Sequence, residues 1–152
     1  MTYECKIIET EDQPVLTVRT TAAVEKLPQF FGEAYGSIMR YLAEMGEQPV
    51  GMPFAAYYNM DMQALDVEAG FPVARDLAGK GNIKAGKIGG GKYAVTLHIG
   101  SYDSVGPAYE ALADFVKQQG FEVGKIAYEY YLNDPSEDAN IQPQTEIRFP
   151  LR

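Results

Sequence analysis

Apolar residues recur every three to four positions in two stretches, Phe31, Tyr35, Ile38 and Leu42 in one, and Val105, Tyr109, Leu112 and Val116 in the other. That spacing lines one face of a helix and predicts helices near residues 27–45 and 104–119. Gly46 and Gly120 suit the left-handed residue that closes each helix, and Ser104 is placed as the N-cap of the second. Elsewhere the pattern shortens to alternation rich in aromatic and β-branched residues. Strands are predicted near 14–21, 53–60, 64–72, 92–100, 126–132 and 145–151.

The pattern occurs twice. "AAYYNMD" (Ala55 to Asp61) aligns with "YEYYLND" (Tyr128 to Asp134), and "VEAGFPV" (Val67 to Val73) with "TEIRFPL" (Thr145 to Leu151). The helix faces of Tyr35 and Tyr109 align between them, as does "LTVR" (Leu16 to Arg19) with "VTLH" (Val95 to His98). Matches in one order at similar spacing mark an internal duplication. Each half reads strand, helix, strand, strand, with half-repeats at about 14–73 and 92–151 in one domain spanning 1–152. The fold class is therefore α+β, a pseudo-twofold pair of βαββ units with an antiparallel sheet and helices on one face. The uncovered sheet face, or a central cleft where the halves meet, is the expected ligand site. Residues 74–91, rich in glycine and lysine, are expected to form an exposed connection.

Composition narrows the partners. A net charge of −8 argues against nucleic acid, whose binding rests on cationic contacts to phosphate. An acidic surface favours cationic ligands through its long-range field. No apolar run reaches the ~20 residues of a membrane helix. The first residues lack both the basic start and the apolar stretch of a signal peptide, and the single cysteine, Cys5, fits a reducing compartment. A cytoplasmic location is expected. "GKIGGGKY" (Gly86 to Tyr93) approaches a phosphate-binding loop, but Tyr93 replaces the hydroxyl that would hold magnesium, and a strand succeeds it instead of a helix. No nucleotide, cofactor or metal site is expected.

Two residues carry candidate chemistry. His98 is the only histidine, and alternation puts it opposite Val95, Leu97 and Ile99. If those aliphatic residues face the helix, His98 points to the open face. Ser101 and Ser104 lie near it but lack the strand-turn-helix setting of a nucleophilic serine. Glu129 is the stronger candidate, a carboxylate in "AYEYYLNDP" (Ala127 to Pro135) sharing a strand face with Ala127, Tyr131 and Asn133. Its aligned counterpart is Ala56, so the scaffold does not require an acid there. It either pairs with Arg19, Arg148 or a lysine, or serves a ligand. In an aromatic pocket it would attract a cation, with tyrosine ring faces adding cation–π attraction, or act as a general acid or base.

The segments "HIGSYDSVGPAYEALADFV" (His98 to Val116), "GFEVGKIAYEYYLNDP" (Gly120 to Pro135) and "TEIRFPL" (Thr145 to Leu151) resemble the GyrI-like small-molecule-binding domains, also found as effector-binding domains of multidrug-responsive bacterial regulators. With the duplicated first half, the resemblance covers nearly the whole chain. It implies a cleft for bulky, often cationic and aromatic compounds. A buried strand glutamate matches Glu129, and the aromatic lining corresponds to Tyr58, Tyr131 and Tyr102. Apart from the resemblance, the place of His98 in the strand alternation makes it a further candidate ligand contact. Some stand-alone members are implied to hydrolyse strained electrophiles with a glutamate and a tyrosine, here Glu129 and Tyr131. Others are implied to interact with DNA gyrase. Nothing before residue 14 is expected to hold a DNA-binding helix-turn-helix.

Overall fold

The computed structural model describes residues 3–101, 104–133 and 142–151. The chain divides into two compact units, one of residues 11–90 and one of residues 1–10 with 91–152.

The unit of residues 11–90 runs β2 (Gln13–Ala22), α1 (Leu27–Glu44), β3 (Phe54–Tyr57), β4 (Leu65–Pro72) and β5 (Lys84–Ile88). Its strands are antiparallel in the order β3-β4-β2-β5. Helix α1 buries Ala34, Ile38 and Leu42 against Leu16, Val18, Ala69 and Phe71. Pro28 falls in its first turn, where a missing amide hydrogen costs nothing. Gly46, with φ of 70°, stands just past its end.

The second unit has the same plan. It comprises β1 (Cys5–Thr10), β6 (Gly91–Ile99), α2 (Gly106–Gln118), β7 (Ala127–Tyr131) and β8 (Gln144–Pro150), in the order β7-β8-β6-β1. Here α2 packs Ala108, Leu112 and Val116 on Ala94, Ala127, Ile147 and Phe149. The α+β fold and the repeated strand-helix-strand-strand order both appear, and each set of strands is antiparallel with its helix on one face.

Three local expectations need correction. First, strands β1 and β5 add a fourth, edge strand to each unit, β5 within the segment expected to be a bare connection. β5 is exposed up to Ile88 and β1 is half-exposed, and a lysine-bearing, glycine-containing edge strand such as β5 lacks the alternation that marks a half-buried one. Second, the residue before α2 is Val105, with no side-chain cap, so Ser104 is not the N-cap. Third, the alignment of the halves slips by one residue. Ala55 and Val18 both pair with Ala69, as Glu129 and Thr96 both pair with Ile147. Ala69 and Ile147 each stand two residues before a Phe-Pro pair, so they are equivalent positions. The counterpart of Glu129 is therefore Ala55, not Ala56, because a single step along a strand changes the face. The acid still corresponds to an alanine in the other half.

Candidate functional site

Strand pairing decides which side chains meet. In an antiparallel ladder directly paired residues share a face. Glu129 pairs with Ile147, Ile147 with Thr96, and in the next row Tyr131 pairs with Thr145 and Thr145 with His98. Because Ile147, Ala94 and Ala127 pack on α2, this is the helix-covered face.

His98 is accordingly only 2% exposed, while Leu97 and Ile99 are 39% and 47% exposed. The expectation that His98 points to the open face is reversed. The aliphatic residues after Val95 face solvent, and the histidine turns inward because the loop beyond the strand supplies hydrogen-bond partners. Its Nε2 donates to the Ser101 carbonyl at 2.9 Å, and since a carbonyl only accepts, Nε2 carries the proton. Nδ1 then accepts from the Tyr3 hydroxyl at 3.1 Å. Gly100, with φ of 138°, turns the chain so that this carbonyl comes back over the ring. The Ser104 hydroxyl donates to the same carbonyl at 2.9 Å and lies 3.2 Å from Nε2. A protonated Nε2 cannot take a proton from Ser104, so the pair is not arranged as a nucleophile and base.

Glu129 is 9% exposed. The Tyr109 hydroxyl, reaching across from α2, donates to its Oε2, and the Tyr131 hydroxyl donates to Oε1 at 3.0 Å. Burial pushes the Glu129 carboxyl above the ordinary glutamate range, while the Tyr109 and Tyr131 hydrogen bonds and the nearby His98 pull it back. Among the described residues no lysine or arginine forms an ion pair with it. The two arginines expected as partners are engaged elsewhere. Arg19 holds Asp66 through two hydrogen bonds of 2.8 and 2.7 Å, and Arg148 holds Glu146 at 2.7 Å. Arg148 also lies 4.3 Å from the centre of the Tyr130 ring, on the open face.

The other candidates separate. Tyr131 is joined to Glu129 directly. Tyr58 belongs to the other unit, where its hydroxyl donates to Glu68 Oε1 and Arg19 lies 3.9 Å from its ring centre. Glu68 also accepts from Thr17 at 2.5 Å. Tyr102 lies outside the described residues, as do Asp134 and Pro135 of the expected turn. Asn133 ties the end of β7 to the start of β8, accepting from the Gln144 amide at 2.9 Å and donating to the Gln142 carbonyl at 2.8 Å. Among the described residues no cluster of histidine, cysteine, aspartate or glutamate could hold a metal.

Sequence reasoning missed Tyr109 and Tyr3. Tyr109 falls on the apolar helix face, yet a phenol on such a face must place its hydroxyl somewhere, and Glu129 on β7 offers a carboxylate within its reach. Its counterpart Tyr35 solves the same problem by donating to the Phe54 carbonyl at 2.7 Å.

A buried carboxylate held by two phenols thus lies within this helix-on-sheet unit. The chain belongs to the GyrI-like small molecule binding domain family, whose sequence model matches residues 3–152. No curated protein matches it. Among solved structures it is similar to EcmrR in its DNA complex, with a TM-score of 0.84, 21% identity and 99% of this chain covered. The match spans 57% of that EcmrR chain. It is also similar to a hydrolase from Listeria innocua, with a TM-score of 0.72, 14% identity, and 98% and 92% of the two chains covered. SAV2435, solved bound to tetraphenylphosphonium, gives a TM-score of 0.67 at 14% identity, covering 100% of this chain and 94% of that one. At these identities the likeness to each is one of fold. No described helix is long and apolar enough to cross a membrane.

Proposed function

We propose that this small-molecule-binding domain captures bulky hydrophobic cations, with Glu129 as the counter-charge and Tyr131 as an aromatic wall. The observation that carries the reading is the buried Glu129 carboxyl, given two hydroxyl donors and no cation by the described protein. Burying an unpaired carboxylate is costly, and a folded chain tolerates it where a ligand supplies the missing charge. SAV2435 is the supporting precedent of fold, since its bound tetraphenylphosphonium is a large aromatic cation. Tyr58, Tyr102 and His98 remain proposed ligand contacts.

The test is a thermal-shift titration with tetraphenylphosphonium and with neutral triphenylphosphine oxide, on wild type and Glu129→Gln. Binding to the folded state raises the melting temperature by mass action. The cation should stabilise wild type, and Glu129→Gln should lose roughly tenfold or more in its affinity, as expected when a charge-assisted contact is removed. Equal losses for the cation and the neutral compound would refute the role given to Glu129.

A second reading has its own support, the raised Glu129 carboxyl beside a phenol and the likeness to a hydrolase. In it Glu129 takes a proton from water, and the water oxygen bonds a strained electrophilic carbon as that carbon's bond to the leaving oxygen breaks. Tyr131 or Tyr102 donates a hydrogen bond to the leaving oxygen, which then takes up the proton from Glu129. General acid–base help is typically worth ~10²–10⁴-fold in rate. Product formation measured by mass spectrometry on strained electrophiles should then fall by that factor in Glu129→Gln. Turnover that survives the substitution would restrict Glu129 to binding.

A further inference from the structure

Thr145 sits at the centre of the row His98–Thr145–Tyr131, on the helix-covered face. Its side chain is 0% exposed, and its hydroxyl is the one buried side-chain polar atom among the described residues with no hydrogen-bond partner. Its two row neighbours direct their polar atoms elsewhere. His98 is committed at both nitrogens to Tyr3 and Ser101, and Tyr131 donates to Glu129. A buried hydroxyl without a partner runs against the general rule that such groups are satisfied, and it calls for a specific explanation. Valine would fill the same shape at β8 without that cost.

We propose that Thr145 is the specificity-determining residue of the Glu129 site, its hydroxyl accepting a hydrogen bond from an N–H of the bound cation. The inference rests on the reading of Glu129 as the counter-charge and names the ligand class more closely. Thr145 and Glu129 are diagonal neighbours on adjacent strands, a relation that places Cα atoms about 7–8 Å apart. An ammonium group lying between them can offer one N–H to the carboxylate and another to the hydroxyl. A fully substituted onium ion can satisfy the charge only. The site is therefore built for protonated primary or secondary amines carrying aromatic groups, and it accepts quaternary cations as weaker, charge-only ligands.

The experiment compares dibenzylammonium with dimethyldibenzylammonium, which share charge and rings and differ in N–H groups, on wild type and Thr145→Val. Tetraphenylphosphonium serves as the charge-only reference. Calorimetric affinities should favour dibenzylammonium in wild type by about threefold to tenfold, the usual worth of one hydrogen bond. Thr145→Val should erase that preference while leaving tetraphenylphosphonium binding within twofold. Binding of all three cations with no N–H preference in wild type, or a preference that persists in Thr145→Val, would overturn the assignment of Thr145 and leave Glu129 standing. A water held by Thr145 would give that second outcome together with lowered stability of the variant. Failure of all three to bind wild type would refute the Glu129 reading and this inference with it.

Discussion

Glu129 and the two phenols on it form a proton-sensitive unit. Burial raises the carboxyl's pKa in the folded chain, so the folded state holds its proton to higher pH than the unfolded state does. The contribution to stability is fully present below the unfolded value and is lost as pH rises through the folded one. Urea denaturation across a pH series should show wild type losing stability relative to Glu129→Gln as pH climbs from about 4. An unchanged difference between the two across the series would contradict the shift. Tyr109→Phe and Tyr131→Phe each remove a hydrogen bond that favours the ionised form. Both should raise the Glu129 pKa further, read by carbon NMR of its carboxyl, and a fall in either would disprove the role of the phenol.

Helices and central strands are legible in the sequence because each buries one face, and Phe31-Tyr35-Ile38-Leu42 or the paired Phe-Pro strand ends announce that face directly. Edge strands are not, since β5 presents Lys84, Ala85, Gly86 and Lys87 to solvent. The one-residue slip between Ala55 and Ala56 arises because "AA" gives no sign of which alanine faces the helix, and only the ladder resolves it. Alternation alone marks Glu129 and Tyr131, whereas Tyr109 requires knowing that its hydroxyl reaches from α2 to β7. The same local logic separates two glycines of the second unit. Gly120 has φ of 83°, so Gly120→Ala should cost about 1 kcal/mol. Gly106 begins α2 with open space where a Cβ would stand, so Gly106→Ala should stabilise by about 0.5–1 kcal/mol. Chemical denaturation of the pair gives the comparison, and a Gly120→Ala variant no less stable than wild type would contradict the assignment of left-handed backbone to Gly120.

Across the chain the duplication supplies two similar units, and among the described residues only one carries a buried acid on its helix-covered face, Glu129 where the other has Ala55. The first strand is part of that unit. β1 pairs with β6 over Cys5–Thr10, and Tyr3 just before it holds His98. Tyr3→Phe should therefore leave the fold intact yet shift the His98 imidazole proton signals and weaken cation binding through the loosened neighbour of Glu129. Unaltered signals would show that Tyr3 does not hold the ring. The pairing of a ligand cation with Glu129 is tested most directly by the pH dependence of tetraphenylphosphonium affinity in wild type and Glu129→Gln. If the cation pairs with an ionised Glu129, wild-type affinity rises with pH, by up to about tenfold per unit below the carboxyl's raised pKa, and then levels off. Glu129→Gln should bind weakly and without that rise. Wild-type affinity that does not change with pH, or an equal rise in the variant, would contradict it.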